Sequence, residues 1–229
     1  MFLDGYANQV LTGTIETIKL AFFSLLVAFV LGLLAAAGKL FGNWFFRVWA
    51  QVYTTVIRSI PDLVLMLLVF FGIQQLLNAF TDAIQIDQID LDPFVTGILT
   101  IGFIYGAYFA ETFRGAFLAV PKGQLEAGKA YGLTKYQIFM RILFPQMMRF
   151  ALPGIGNNWL IVLKATALVS IIGLADIVLV SQQAGRATGK MFFFILVAGV
   201  IYLILTTLSN LVLWWLEKKY SAGVREAKL

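Results

Sequence analysis

Five stretches of this chain, roughly residues 14–38, 52–77, 94–117, 153–177 and 191–216, are long and apolar enough to cross a bilayer. A hydrocarbon layer ~30 Å thick takes about 20 helical residues. Inside it each backbone N–H and C=O must be satisfied within the protein, so successive runs of this kind fold as helices. The balance of residues agrees: 60% are hydrophobic and 13% charged, against about 25% charged in soluble domains. The sequence therefore predicts an all-α integral membrane protein, one domain over residues 1–229 with five spans. Residues 1–13 hold Asp4 and no basic residue, unlike a positively charged secretory n-region. The first apolar run is accordingly expected to remain as an anchor.

Basic residues are distributed unevenly about the spans. Lys39, Arg47, Arg58, Arg114, Lys122, Lys129, Lys135, Arg141, Arg149, Lys218, Lys219, Arg225 and Lys228 fall on one side, and only Arg186 and Lys190 on the other. Positive segments stay cytoplasmic, which predicts an outer N-terminus, with the C-terminus and residues 121–145 inside. No internal repeat or low-complexity tract is visible.

Much chemistry is excluded by composition. With no cysteine and no histidine, thiol nucleophiles, thiolate metal sites and the commonest general base are missing. The aspartates at 82, 87, 90 and 92 lack the glycine and terminal glutamate of a calcium loop. A solvated outer loop is the simpler reading, and no metal site is predicted. Nor is there a G-x4-G-K-[ST] phosphate loop: Gly38-Lys39-Leu40 and Gly189-Lys190-Met191 lack the spacing and the hydroxyl. ATP hydrolysis by that route is therefore not expected of this chain.

Residues 121–145, PKGQLEAGKAYGLTKYQIFMRILFP, interrupt the apolar text with a patterned polar segment. Pro121 suits a helix start, and Gly132 suits a left-handed helix stop. Thr134 with Gln137 reads as a capping box opening a second helix. On that helix Ile138 and Ile142 share a face, as do Phe139 and Leu143, and Pro145 is expected to mark its exit. The prediction is a helix–turn–helix knob between spans three and four, shaped to dock.

Polar groups within the spans are few. Lys164, mid-span, costs roughly 2.5–3.5 kcal/mol on insertion scales and should face a wet cavity or a partner. Glu111 is the obvious counterion, either in a purely structural pair or as part of a pathway. Tyr105, Tyr108 and Glu111 form a stripe at spacing three, and Thr166 and Ser170 share a face at spacing four. Those two hydroxyls either line a pathway or bond back to their own helix. Asp176, near the outer end, either attracts a cationic ligand or is a solvated end residue.

Glu126-Ala127-Gly128, Gly132, Ile142 and Pro145 match the spacing E-A-A-x3-G-x9-I-x-L-P, with Gly128 for the second alanine and Phe144 for the leucine. This resembles the signature of membrane-spanning subunits of bacterial ABC importers. Residues 107–127 and 163–178 also resemble the polar amino-acid branch, closest to permease subunits for histidine and for lysine, arginine and ornithine. The resemblance implies a type I importer permease fold in the bacterial inner membrane, with Glu126, Ala127, Gly128, Gly132, Ile142 and Pro145 coupling to a separate ATPase dimer. It also implies ATP-Mg on that ATPase and no cofactor on this chain. A second permease, a hetero-pair being suggested, and a periplasmic substrate-binding protein would complete the machine, and the acidic 82–92 loop becomes a possible docking surface for the latter. Tyr105, Tyr108, Glu111, Lys164, Thr166, Ser170 and Asp176 are then candidates for the substrate pathway. The competing reading is a self-sufficient secondary transporter or channel, which would show repeats with broken spans in matching positions. A membrane enzyme lacks a catalytic set.

Overall fold

The computed structural model describes residues 2–220; Arg225 and Lys228, counted above in the charge asymmetry, lie outside them. After a short 3-10 turn at Phe2–Gly5, nine α-helices follow, and no strand occurs among the described residues. They are α1 (Ala7–Phe41), α2 (Trp44–Ser59), α3 (Asp62–Ala83), α4 (Pro93–Ala119), α5 (Lys122–Ala130), α6 (Lys135–Ile138), α7 (Phe144–Ala165), α8 (Ile177–Thr188) and α9 (Met191–Tyr220). Five helical runs are long and apolar enough to cross a membrane: Ala7–Phe41, Asp62–Ala83, Pro93–Ala119, Lys135–Ile172 and Met191–Tyr220.

The core is a seam between α1 and α4, which run parallel. Along α1 the buried residues Ser24, Ala28, Gly32 and Ala36 recur every fourth position, and α4 answers with Gly97, Gly102 and Gly106. In lipid there is little hydrophobic drive between helices, so small residues that let backbones approach supply the packing. The approach is tight: a Cβ added at Gly32 would lie 2.5 Å from Phe109 Cβ and 3.1 Å from the backbone nitrogen of Ala110. Phe29, Phe109 and Phe113 fill the space beside this seam.

Two spans depart from the sequence expectation. The continuous second span over 52–77 is instead α2 followed by α3, broken at Ile60 and Pro61, both extended. Pro61 lacks an N–H and pushes Ile60 out of helical geometry. Asp62 then opens α3 and accepts from the Tyr105 hydroxyl at 2.7 Å, midway along α4. The second departure is at Pro145, which ends nothing. Helix continues from Lys135 through Ile172, so the fourth span begins well before residue 153. A π turn at Phe139–Leu143, closed by the Phe144 N–H on the Phe139 carbonyl, absorbs the missing donor of Pro145. Pro153 also lies inside the helix. Beyond Ala165 the run tightens into a 3-10 segment, Thr166–Ile172, that stops at left-handed Gly173.

At the far end from residues 121–145, α8 is clipped to α1. The Ile177 N–H donates to Thr17 Oγ1 at 3.1 Å, and Asp176 caps α8 by accepting from the Leu179 N–H at 2.8 Å. Lys190 reaches Asp4 at 2.9 Å.

Candidate functional site

Two features stand out as sites: the hairpin of α5 and α6, and a polar wall on α2 and α4. The hairpin follows from local rules. Pro121 precedes α5 as its cap, Gly132 takes a left-handed φ of 75°, and both halves of the Thr134–Gln137 capping box form. Its two arms are locked where Gly128 meets Ile138 and Ile142. A Cβ on Gly128 would lie 2.7 Å from Ile142 Cδ1 and 3.3 Å from Ile138 Cγ1. Glycine in place of the motif's second alanine thus lets α5 sit closely on the π turn. Glu126 and Ala127 lie on the exposed side. So do two aromatics that pattern reading passed over, Tyr131 at 88% and Tyr136 at 70% exposure. Large aromatics held out on a rigid hairpin suit a buried contact with another protein. Their adjacency to the glycine turn was the available signal.

The polar wall is a recess of about 400 Å³ lined by Gln51, Thr54, Thr55, Arg58 and Ser59 of α2 and Tyr108, Glu111 and Arg114 of α4. It exists because α2 is amphipathic: Gln51, Thr54, Thr55 and Arg58 fall on one side of the helix and its aliphatic residues on the other. Glu111 is the hub. One oxygen takes Lys39, which also bonds Thr54; the other takes Arg114 at 2.8 Å. The side chain of Lys39 is only 4% exposed. It stitches the end of α1 to α2 and α4 beneath the recess. The Arg58 guanidinium lies 5.4 Å from the centre of the Tyr108 ring, a cation–π arrangement. Two cations therefore hold the one carboxylate, and a third, Arg58, lines the same recess over Tyr108.

Lys164 does not pair with Glu111, whose two oxygens are taken by Lys39 and Arg114. It is exposed on α7 and in no ion pair among the described residues. Its helix face is informative. On α4, Gly102, Gly106 and Phe109 meet α1, and at 100° per residue Tyr108 and Glu111 point the opposite way. On α7, Ile155, Trp159 and Leu163 adjoin α1 residues Ile18 and Leu25, and Lys164 and Asn157 again point away. Asn157 lines a recess with Asn210, Leu213 and Glu217 of α9, whereas Tyr108 and Glu111 line the recess against α2.

The other predicted pathway residues are placed differently. Tyr105 is buried and held by Asp62. Thr166 is fully buried, donating to the Leu163 carbonyl at 2.7 Å and meeting the Tyr202 hydroxyl at 3.1 Å. Ser170 bonds back to the Ala167 carbonyl at 2.7 Å. Asp176 is not solvated at all: it is fully buried, with Oδ2 lacking a hydrogen-bond partner. Burial pushes its carboxyl up to about 6. No group of three or more potential metal-ligating residues occurs among the described residues.

Comparison with known proteins converges on one family. Residues 28–222 match the family described as binding-protein-dependent transport system inner membrane component. The chain is 55% identical over 227 residues to the histidine/lysine/arginine/ornithine transport system permease protein HisQ of Escherichia coli K12, covering 99% of this chain and 100% of that one. It is 39% identical to the nopaline transport system permease protein NocQ of Agrobacterium fabrum, over 96% of this chain and 94% of that one. Among solved structures, a crystal structure of an amino acid ABC transporter with histidines superposes with a TM-score of 0.81 at 28% identity. That alignment covers 93% of this chain and 95% of the other.

Proposed function

The chain belongs to the binding-protein-dependent transport system inner membrane component family, and from that premise we propose that it is one permease of an ATP-driven importer of polar, basic amino acids. Its role is non-catalytic, as half of a translocation pore in the bacterial inner membrane. The substrates are histidine, lysine, arginine and ornithine, by similarity to a relative 55% identical along its whole length. A second, homologous permease completes the pore, an ATPase dimer loaded with ATP-Mg supplies the work, and a periplasmic binding protein delivers substrate. The 121–145 end is cytoplasmic, as the basic residues along it favour.

The observation that carries this reading is the α5–α6 hairpin. Glu126, Ala127, Gly128, Gly132, Ile142 and Pro145 form one rigid piece, because the π turn fuses α6 to the fourth span. Closure of an ATPase pair against Tyr131 and Tyr136 tilts α7 as a body. No flexible joint intervenes to absorb the stroke, so the spans rock and the pathway faces alternate sides. The pathway runs past the faces of α4 and α7 that carry Tyr108, Glu111 and Lys164, with Glu111, Arg58 and Lys164 supplying charge and Tyr108 a neutral hydroxyl. Tyr105, Thr166, Ser170 and Asp176 act behind that surface, bracing α3, the 3-10 segment and α8.

The test is uptake of radiolabelled amino acids into proteoliposomes. Uptake should require ATP, the ATPase, the second permease and the binding protein together. A Glu126→Lys, Gly132→Asp double variant should insert normally and lose ATP-driven uptake. Normal uptake by that variant refutes the coupling role, and ion-gradient-driven uptake by the chain alone establishes the secondary-transporter alternative.

A further inference from the structure

The side of α2 opposite the polar wall closes a second recess, of about 580 Å³, against α1 and α4. Its lining includes Leu34 and Ala35 of α1, Trp49, Val52 and Val56 of α2, and Phe103 of α4. Two side-chain donors lie in the lining: the Tyr53 hydroxyl, which donates to the Phe103 carbonyl at 2.6 Å, and the indole N–H of Trp49, on an exposed residue near the start of α2. We propose that this recess holds one acyl chain of a membrane phospholipid, with the headgroup phosphate at Arg47.

Three observations select that occupant. α2 lies at hydrocarbon depth, bonded to the middle of α4, and its polar half already faces the pathway side through Gln51, Thr54 and Arg58. Its other half therefore faces outward, where the surrounding medium is lipid tails. An apolar recess left empty forfeits the dispersion contacts of its walls, and a fluid chain restores them while covering almost only apolar side chains. Second, Trp44, Phe45 and Trp49 cluster at the start of α2, all exposed. Aromatic residues of this kind mark the level of the headgroups. Third, Arg47 is exposed one residue beyond Phe46, which lines the recess near Gly38 at its hairpin end. Arg47 is in no ion pair among the described residues. A long basic side chain there can snorkel to a phosphate, and the cytoplasmic leaflet is rich in anionic lipid. This placement rests on the reading that the 121–145 end is cytoplasmic. Because the same helix carries Arg58 and Gln51, a chain wedged behind α2 also supports the pathway wall from the back.

The experiment uses the assembled transporter in vesicles of phosphatidylethanolamine and phosphatidylglycerol, with brominated phosphatidylglycerol added stepwise. Within this chain Trp49 is left as the only tryptophan by Trp44→Phe, Trp159→Phe, Trp214→Phe and Trp215→Phe, and the same chain with Trp49→Phe as well gives the partners' signal to be subtracted. We expect strong quenching of Trp49, and Ala35→Phe, which fills the recess, should reduce it by more than about half. Arg47→Gln should raise the brominated lipid needed for half-quenching about fivefold. A variant keeping only Trp214, on the exposed face of α9, should respond to neither substitution. An unquenched Trp49 means that protein covers the recess, and the proposal falls. It also falls if Ala35→Phe or Arg47→Gln leaves quenching unchanged. ATP-driven uptake measured on the same vesicles reports the permease reading separately, so active uptake without Trp49 quenching sinks the lipid site alone.

Discussion

Lys39→Met removes the cation that holds three helices together. Lys39 is almost wholly buried at the end of α1, and its ammonium bonds Thr54 of α2 and Glu111 of α4. Breaking one side of a buried ion pair typically costs about 3–5 kcal/mol, because the remaining charge is stranded. Here Glu111 keeps Arg114 at 2.8 Å and its side chain is 21% exposed. The stranded charge is thus partly compensated, and the loss should be about 1–3 kcal/mol. For a chain of this size that lowers the melting temperature by roughly 2–4 °C per kcal/mol. Adding Glu111→Gln removes the stranded carboxylate, so Lys39→Met with Glu111→Gln should be less destabilised than the sum of the single variants. A coupling of about 1–2 kcal/mol is expected from contacting residues in one network. The assay is thermal unfolding of the assembled complex in detergent for wild type, both single variants and the double. Simple additivity, or a silent Lys39→Met, would refute the claim that this lysine is the buried clamp.

Three other outcomes follow from the structure. Asp176→Asn keeps an α8 cap and removes a buried charge. The native carboxyl is raised from 3.8 to about 6, so the folded state binds the proton more tightly and wild-type stability falls as pH rises from about 4 through 6. The variant should therefore be more stable at pH 7.5, by on the order of 3 kcal/mol at most, and the gain should vanish below pH 4; a gain independent of pH contradicts the cause given. Lys164→Ala should lower uptake severalfold with little change in melting temperature, since the side chain touches no ion-pair partner within the subunit; unchanged uptake would place it on an idle face. Gly32→Ala should destabilise by about 1–3 kcal/mol through overpacking of the α1–α4 seam, whereas Gly115→Ala, with open space around its Cβ, should not.

The spans and the hairpin were legible because they rest on local chemistry. Apolar length, the left-handed glycine at 132 and the reciprocal Thr134–Gln137 cap each act within a few residues. What escaped the sequence depended on neighbours. Pro145 reads as a helix stop, yet the π turn ahead of it removes the need for its missing donor. The break at Pro61 was hidden because apolar residues continue on both sides of it. Lys164 and Glu111 lie at similar depth and look like partners, but Lys39 arrives from the end of α1 through a contact seventy-two residues away in sequence. No periodicity reports a pairing of that range. The recess on α2 and α4 was half visible: Tyr108 and Glu111 stood out within an apolar span, whereas Arg58 and Arg114 entered only as charges that set orientation, and Gln51 carried no signal of its own.

The central claim is that the α5–α6 hairpin takes up the stroke of an ATPase and passes it rigidly to the fourth span. A photoreactive phenylalanine analogue in place of Tyr131, in the assembled transporter, tests it most directly. We expect an adduct with the ATPase subunit whose yield or cross-linked peptide changes when ATP is added. An adduct only with the second permease or the binding protein, or an ATPase adduct indifferent to nucleotide, would contradict the account.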